Sequence, residues 1–196
     1  MAVISSPADE KNVLRATALA RRDALPAAER AAAAETIAAK PFPVDVPPGA
    51  IVSGYSPMKS EINPLPLMRR LAAAGARLAL PVVVGRGQRL ILREWAFGEE
   101  LASGVWGIRE PAAHAPEVLP DIMIVPLAAF DRTGHRIGYG AGYYDMTIGH
   151  IRGVKPVVAI GIAYAVQEIP SVPATPRDER LDLVLTERGL IDCRRT

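Results

Sequence analysis

A chain of 196 residues with 23 basic and 21 acidic side chains has a net charge of only +2, too little for a nucleic-acid groove or a membrane-binding face, so any basic site must be local. A single cysteine, Cys193, excludes an internal disulfide framework and a cysteine-rich zinc site. The first ten residues contain no basic stretch followed by an apolar one, and no run reaches membrane-spanning length, so a cytoplasmic location is expected.

The first predicted element is a helix from residue 6 to about 24: Ser6 offers a capping hydroxyl, Pro7 suits the first turn, and Asp9 and Glu10 suit its positive end. Lys11 and Arg15, four apart, share one face of it; this is either a solvated basic face or a pair of cations aimed at a ligand. Residues 26–39 are strong helix formers stopped by Pro41, and 42–49, with three prolines, reads as a linker. Strands and helices then alternate. Strands are predicted at 50–55, 77–84, 89–97, 121–126, 156–162 and 181–186, and helices at 64–74, closed by Gly75, and 143–151. Residues 98–119, rich in Gly and Pro and carrying Trp106, are expected to be irregular. Near-continuous apolar strands separated by helices indicate an α/β three-layer, Rossmann-like sandwich with a mostly parallel sheet. The expected organisation is a single domain over 1–196, with helices at 6–40 packing on a sheet core at 50–190. In such sheets ligands gather beyond the carboxyl ends of the strands, which brings Glu61, the glycine run at 138–142 and Asp178 to one rim.

The run Arg136-Ile-Gly-Tyr-Gly-Ala-Gly-Tyr-Tyr-Asp145 carries the most chemistry. Glycines at alternate positions let successive backbone N–H groups turn onto an anion, and the helix predicted to follow adds its own orphan N–H groups and dipole. Arg136 supplies a cation on the entry side. Asp145 is either a dipole-stabilising acid or a ligand for Mg²⁺, with Asp178 as a candidate second carboxylate and Asp182 as its neighbour at a strand start. Tyr143 and Tyr144 could stack on a flat ligand or pack beneath the loop.

Several familiar motifs are missing. No Gly-x-x-x-x-Gly-Lys-Ser/Thr occurs, and Gly138, Gly140 and Gly142 lack dinucleotide-fold spacing and follow the strand at 121–126 only after about ten residues. Ser56 lies in Gly-Tyr-Ser-Pro-Met, without the second glycine of a nucleophile elbow. His114, His135 and His150 are dispersed, with no metal-ligand spacing.

Taken together, Lys11-Asn-Val-Leu-Arg15, Glu61 in its loop, Asp121-Ile-Met-Ile-Val-Pro126 with Phe130-Asp131, the 136–145 run, and Arg177-Asp-Glu-Arg-Leu-Asp182 resemble, in order and over nearly the whole chain, the 5-formyltetrahydrofolate cyclo-ligase family, also called 5,10-methenyltetrahydrofolate synthetases. The resemblance implies ATP held by Lys11, Asn12, Val13, Leu14 and Arg15 and by Arg136, Ile137, Gly138, Tyr139, Gly140, Ala141, Gly142, Tyr143 and Tyr144, with Trp106 near the nucleotide. It implies Mg²⁺ at Asp145 and Asp178, and folate near Ser56, Glu61, Tyr139, Gly140, Ala141, Gly142 and Tyr143. Relatives often carry Gly or Lys in place of Ala141 and His or Asn in place of Arg177.

The implied reaction is the ATP-dependent closure of 5-formyltetrahydrofolate to 5,10-methenyltetrahydrofolate, with Lys11, Arg15 and Arg136 carrying the electrostatic work. It needs no side-chain nucleophile, in keeping with the missing elbow. The expected enzyme is a monomer acting on small molecules, without nucleic-acid or membrane partners. Two other readings stand beside it: an ATP-dependent ligase or kinase for another small acid, and a non-enzymic nucleotide- or folate-binding domain.

Overall fold

The computed structural model describes residues 7–194, so the capping role expected of Ser6 lies outside the described residues. Two helices, α1 (Pro7–Asp23) and α2 (Ala27–Ala39), precede the strand β1 (Ile51–Ser53). The chain continues through α3 (Leu65–Ala73), β2 (Arg77–Val82), β3 (Ile91–Glu94), β4 (Leu101–Ser103), β5 (Arg109–Pro111), β6 (Ile122–Val125), β7 (Ala129–Phe130), β8 (Arg136–Ile137), α4 (Tyr143–Arg152), β9 (Val158–Ile162), β10 (Leu183–Thr186) and β11 (Gly189–Asp192). Among the described residues no helix is long and apolar enough to cross a membrane.

The main sheet runs β11-β10-β9-β6-β1-β2-β3. Its five central strands are mutually parallel and both edge strands are antiparallel, as expected of a mostly parallel α/β sandwich. Side-chain alternation builds the two outer layers. Ile122 and Ile124 of β6, Ile160 and Ile162 of β9, and Leu183 and Leu185 of β10 share a core with Ala33, Ala34 and Ile37 of α2 and Leu67, Met68 and Leu71 of α3. Met123, Val125, Ala159 and Val184 face the other way, onto Ile148 and Ile151 of α4. The period of two divides each buried strand between two cores, so neither face reaches water. Each fully buried Leu or Ile contributes about 1.5–3 kcal/mol of hydrophobic stabilisation.

Three elements depart from the sequence expectation. Within the stretch expected to be irregular, β4 and β5 form a hairpin around a 3₁₀ turn at Val105–Gly107. The C-terminal β11 pairs antiparallel with β10. The glycine run also does not trail loosely after β6, because a second hairpin, β7–β8, delivers it directly. The turn of that hairpin is organised by buried Asp131, whose Oδ1 accepts from Thr133 N (2.9 Å), Thr133 Oγ1 (2.6 Å) and His135 N (3.2 Å), and whose Oδ2 accepts from Val172 N (2.8 Å). Gly134, at φ 89°, completes it: a Cβ there would lie 2.4 Å from the Leu181 carbonyl oxygen, so no side chain fits. Two-residue strands carry almost no periodic signal, and side-chain and tertiary bonds hold this hairpin. α1 lies across it, with Ala18 buried among Ala129, Ile137, Ile169 and Val172 and Leu14 packed alongside.

Candidate active site

β8 ends at Ile137 and the chain turns through Gly138 to Gly142 into α4. Gly140 (φ 97°) and Gly142 (φ 69°) are left-handed, a conformation in which an L side chain is strained. A Cβ built at Gly138 or Gly142 would meet no atom within 4 Å, so these glycines border open space instead of filling a packing gap. Gly142 is the N-cap of α4 and supplies no capping side chain, leaving the first-turn N–H groups for an external acceptor. Open space bordered by backbone donors at a helix start is a place an oxyanion could occupy.

Two cations reach the loop from α1. Arg15 Nε donates to the Gly138 carbonyl (2.6 Å) and Arg15 Nη1 to Asn12 Oδ1 (2.6 Å), while Lys11 Nζ grips both oxygens of Asp178 (2.8 and 2.7 Å). The shared helix face is therefore turned onto the sheet rim. Asn12 orients Arg15, Leu14 packs against the hairpin, and Val13 points outward at 67% exposure, so Val13 and Leu14 bring no polar group to a ligand. Ile137 is likewise a core residue, and Ala141 is exposed.

Arg136 differs from the expected forked anion clamp. Its side chain is only 3% exposed, with Nη1 donating to the Glu179 carbonyl (2.5 Å) and Nη2 to Asp145 Oδ1 (2.8 Å). Asp145 Oδ1 also accepts from Glu179 N (3.0 Å), so Asp145 and the segment carrying Asp178 are stitched side by side. Arg136 holds that junction together.

On the opposite side, the loop after β1 presents Glu61. It is 8% exposed and accepts from Met58 N (2.7 Å). Burial raises its pKa, offset in part by the Met58 hydrogen bond, the nearby Tyr139 hydroxyl and the charge of Arg22. Burial, followed by the adjacent Glu61 charge, pushes the Tyr139 phenol up to about 12, so it stays protonated. Tyr144 is held above the usual phenol range, first by burial and then by Glu61, and packs against the α4-side core beneath the loop; Tyr143 is half-buried in the first turn of α4. Ser56 is half-buried in the same loop as Glu61. Trp106 lies in the 3₁₀ turn at Val105–Gly107, and its side chain is outside the described residues.

Sequence reasoning left Arg22 without a role, although it is 1% exposed and bonds both Ser60 and Tyr139. The usable signal was its spacing: positions 11, 15 and 22 fall on one helix face.

Asp145 and Asp178 fit a hard cation by donor chemistry. Both are carboxylates beside the nest, and their side chains are 26% and 19% exposed. Among the described residues no group of three or more His, Cys, Asp or Glu could hold a metal. A cation held here would therefore draw most of its shell from water and phosphate, which is the habit of Mg²⁺. Burial would raise the Asp178 pKa, but hydrogen bonds from Lys11 and Thr175 outweigh it and hold it low, keeping the carboxylate ionised.

Three comparisons bear on this geometry. The sequence profile of the 5-formyltetrahydrofolate cyclo-ligase family matches residues 7–187. The chain is 32% identical over 195 residues to the 5-formyltetrahydrofolate cyclo-ligase of Mycolicibacterium smegmatis, covering 94% of this chain and 97% of that protein. It is 33% identical over 141 residues to the Escherichia coli protein of the same name, covering 69% and 76%. The solution structure of 5,10-methenyltetrahydrofolate synthetase from Aquifex aeolicus superposes with a TM-score of 0.77 at 28% identity, over 94% of this chain and 93% of that one. A synthetase from Mycoplasma pneumoniae, at 24% identity, shares the fold with a TM-score of 0.72 over 90% and 98%.

Proposed function

Because the chain belongs to the 5-formyltetrahydrofolate cyclo-ligase family, we propose that it closes 5-formyltetrahydrofolate to 5,10-methenyltetrahydrofolate at the expense of ATP, with Mg²⁺ at Asp145 and Asp178. The observation that carries this reading is that α1 brings Arg15 onto a left-handed glycine nest that opens a helix and Lys11 onto Asp178, with Glu61 near Tyr139 of the same run.

The N5-formyl carbon is a poor electrophile because the nitrogen lone pair is delocalised into the carbonyl. Transfer of the γ-phosphoryl group to the formyl oxygen makes that oxygen a leaving group. N10 then attacks the carbon, loses its proton, and the C–O bond breaks to release phosphate, with ADP as the other product. The nest amides and the α4 N-terminus bind the phosphates, and Arg15 screens their charge. Lys11 must exchange Asp178 for a phosphate oxygen as nucleotide arrives, which frees the carboxylate. A cation held by Asp145 and Asp178 would supply neutralisation of the charge that develops on the phosphates during transfer. Arg136 holds Asp145 in place, and Glu61, Ser56 and Tyr139 orient the folate. The protein contributes positioning and charge.

The direct test mixes protein, Mg-ATP and 5-formyltetrahydrofolate and follows the near-ultraviolet absorbance of the methenyl product. ATP turnover with other acids and none with this folate would favour a different ligase or kinase. Replacing Arg15 by Ala should raise the ATP KM about tenfold or more, the scale of one charge-assisted phosphate contact, and leave the folate KM nearly unchanged. An unaltered ATP KM would reduce α1 to a scaffold.

A further inference from the structure

Arg22 is the bulkiest of the fully buried side chains, at 1% exposure, on the same face of α1 as Lys11 and Arg15. A cation so placed must be matched by polar partners, since removing it from water is costly otherwise. Its Nε donates to Ser60 Oγ (2.9 Å) and Nη1 to the Tyr139 hydroxyl (2.8 Å). The Ser60 hydroxyl donates to Asp23 Oδ1, and the Tyr139 hydroxyl lies close enough to the Glu61 carboxylate to feel its charge. One guanidinium therefore ties together α1, the loop after β1 and the glycine run.

We infer that Arg22 is a positioning residue for the folate: its fork fixes Ser60 and the Tyr139 hydroxyl, and through them the direction in which Glu61 presents its carboxylate. The inference rests on the function proposed above. Its physical content lies in the fork. Lysine would keep the charge but, as a point donor on a flexible stem, cannot hold two acceptors in a fixed plane. Without Arg22, the Tyr139 hydroxyl can rotate, Ser60 next to Glu61 in the chain loses its anchor, and Glu61 loses a nearby positive charge in a site where burial already disfavours its own charge.

The test is steady-state kinetics on the wild type, Arg22→Lys, Tyr139→Phe and the double variant, with KM measured separately for each substrate. Arg22→Lys is expected to raise the folate KM about tenfold, leave the ATP KM within about twofold, and add little to Tyr139→Phe, because the two residues act as one unit. A folate KM within about twofold of wild type, an equal rise in both KM values, or effects that multiply in the double variant would each overturn the inference. If Arg22→Lys does not fold, Ser60→Ala removes one arm of the fork: a rise of about threefold in the folate KM alone supports the inference, and none overturns it. A wild-type protein inactive on 5-formyltetrahydrofolate would refute the proposed function; an active one whose variants keep the folate KM would refute only the role of Arg22.

Discussion

Asp145→Asn is expected to lower kcat about 100- to 1000-fold, the scale on which removing one preorganised charge-stabilising group acts, while the protein stays folded. The substitution keeps the shape and one acceptor oxygen but removes the negative charge. Two functions of Asp145 then separate. As a proposed cation ligand it loses the charge that attracts Mg²⁺, so the Mg²⁺ concentration needed for half-maximal rate should rise. As the partner of Arg136 it leaves a nearly buried guanidinium with a neutral acceptor, although the Glu179 carbonyl still accepts from Nη1. Because Asp145 is a quarter exposed, and one bond survives, the stability cost should be about 1–2 kcal/mol, well below that of stripping a fully buried pair of one member. Thermal unfolding and a Mg²⁺ titration of the rate measure the two effects. Near-normal turnover with only a lowered Tm would make Asp145 an anchor for Arg136 and nothing more.

The second large effect is expected at Gly140→Val. At φ 97° a β-branched residue is strained, and the backbone would relax by rotating its amides away from the nest. The new Cβ would also lie 3.7 Å from Arg15 Nη2, so the Val methyl groups would press on the guanidinium. The ATP KM should rise at least about tenfold, through lost backbone donors and a displaced Arg15 together. The loop tip is exposed, so the loss of stability should be confined to about 1–3 kcal/mol of local strain. Binding of an ATP analogue by calorimetry gives the check, and wild-type affinity would remove the nest from the nucleotide site.

The behaviour of the three cations explains why a motif alone misassigns roles. Lys11, Arg15 and Arg136 all look like phosphate clamps when read along the chain. Lys11 and Arg15 instead hold Asp178 and a loop carbonyl, groups that an incoming nucleotide could displace. Arg136 is spent on the Asp145–Glu179 junction beneath the loop. Charge identity is written in the sequence, but the partner of each charge depends on which backbone lies within about 3 Å of it.

The sequence by itself determined the sheet and its helices. Runs such as 122–126 and 156–162 are apolar at every position and too short for a buried helix, so the parallel core and its two covering layers follow from composition at short range. It also determined the nest, because alternate glycines before a helix start have a local conformational meaning. Tertiary structure alone decided the β7–β8 hairpin that aims the nest, since its two-residue strands are held by Asp131 and by the Leu181 carbonyl pressed against Gly134, from the far end of the chain. It alone decided that Arg22 is buried beneath Tyr139 and joins Ser60 to its hydroxyl. Residues 22, 60 and 139 share no sequence neighbourhood, and a hydrogen bond acts only over the distance that folding creates.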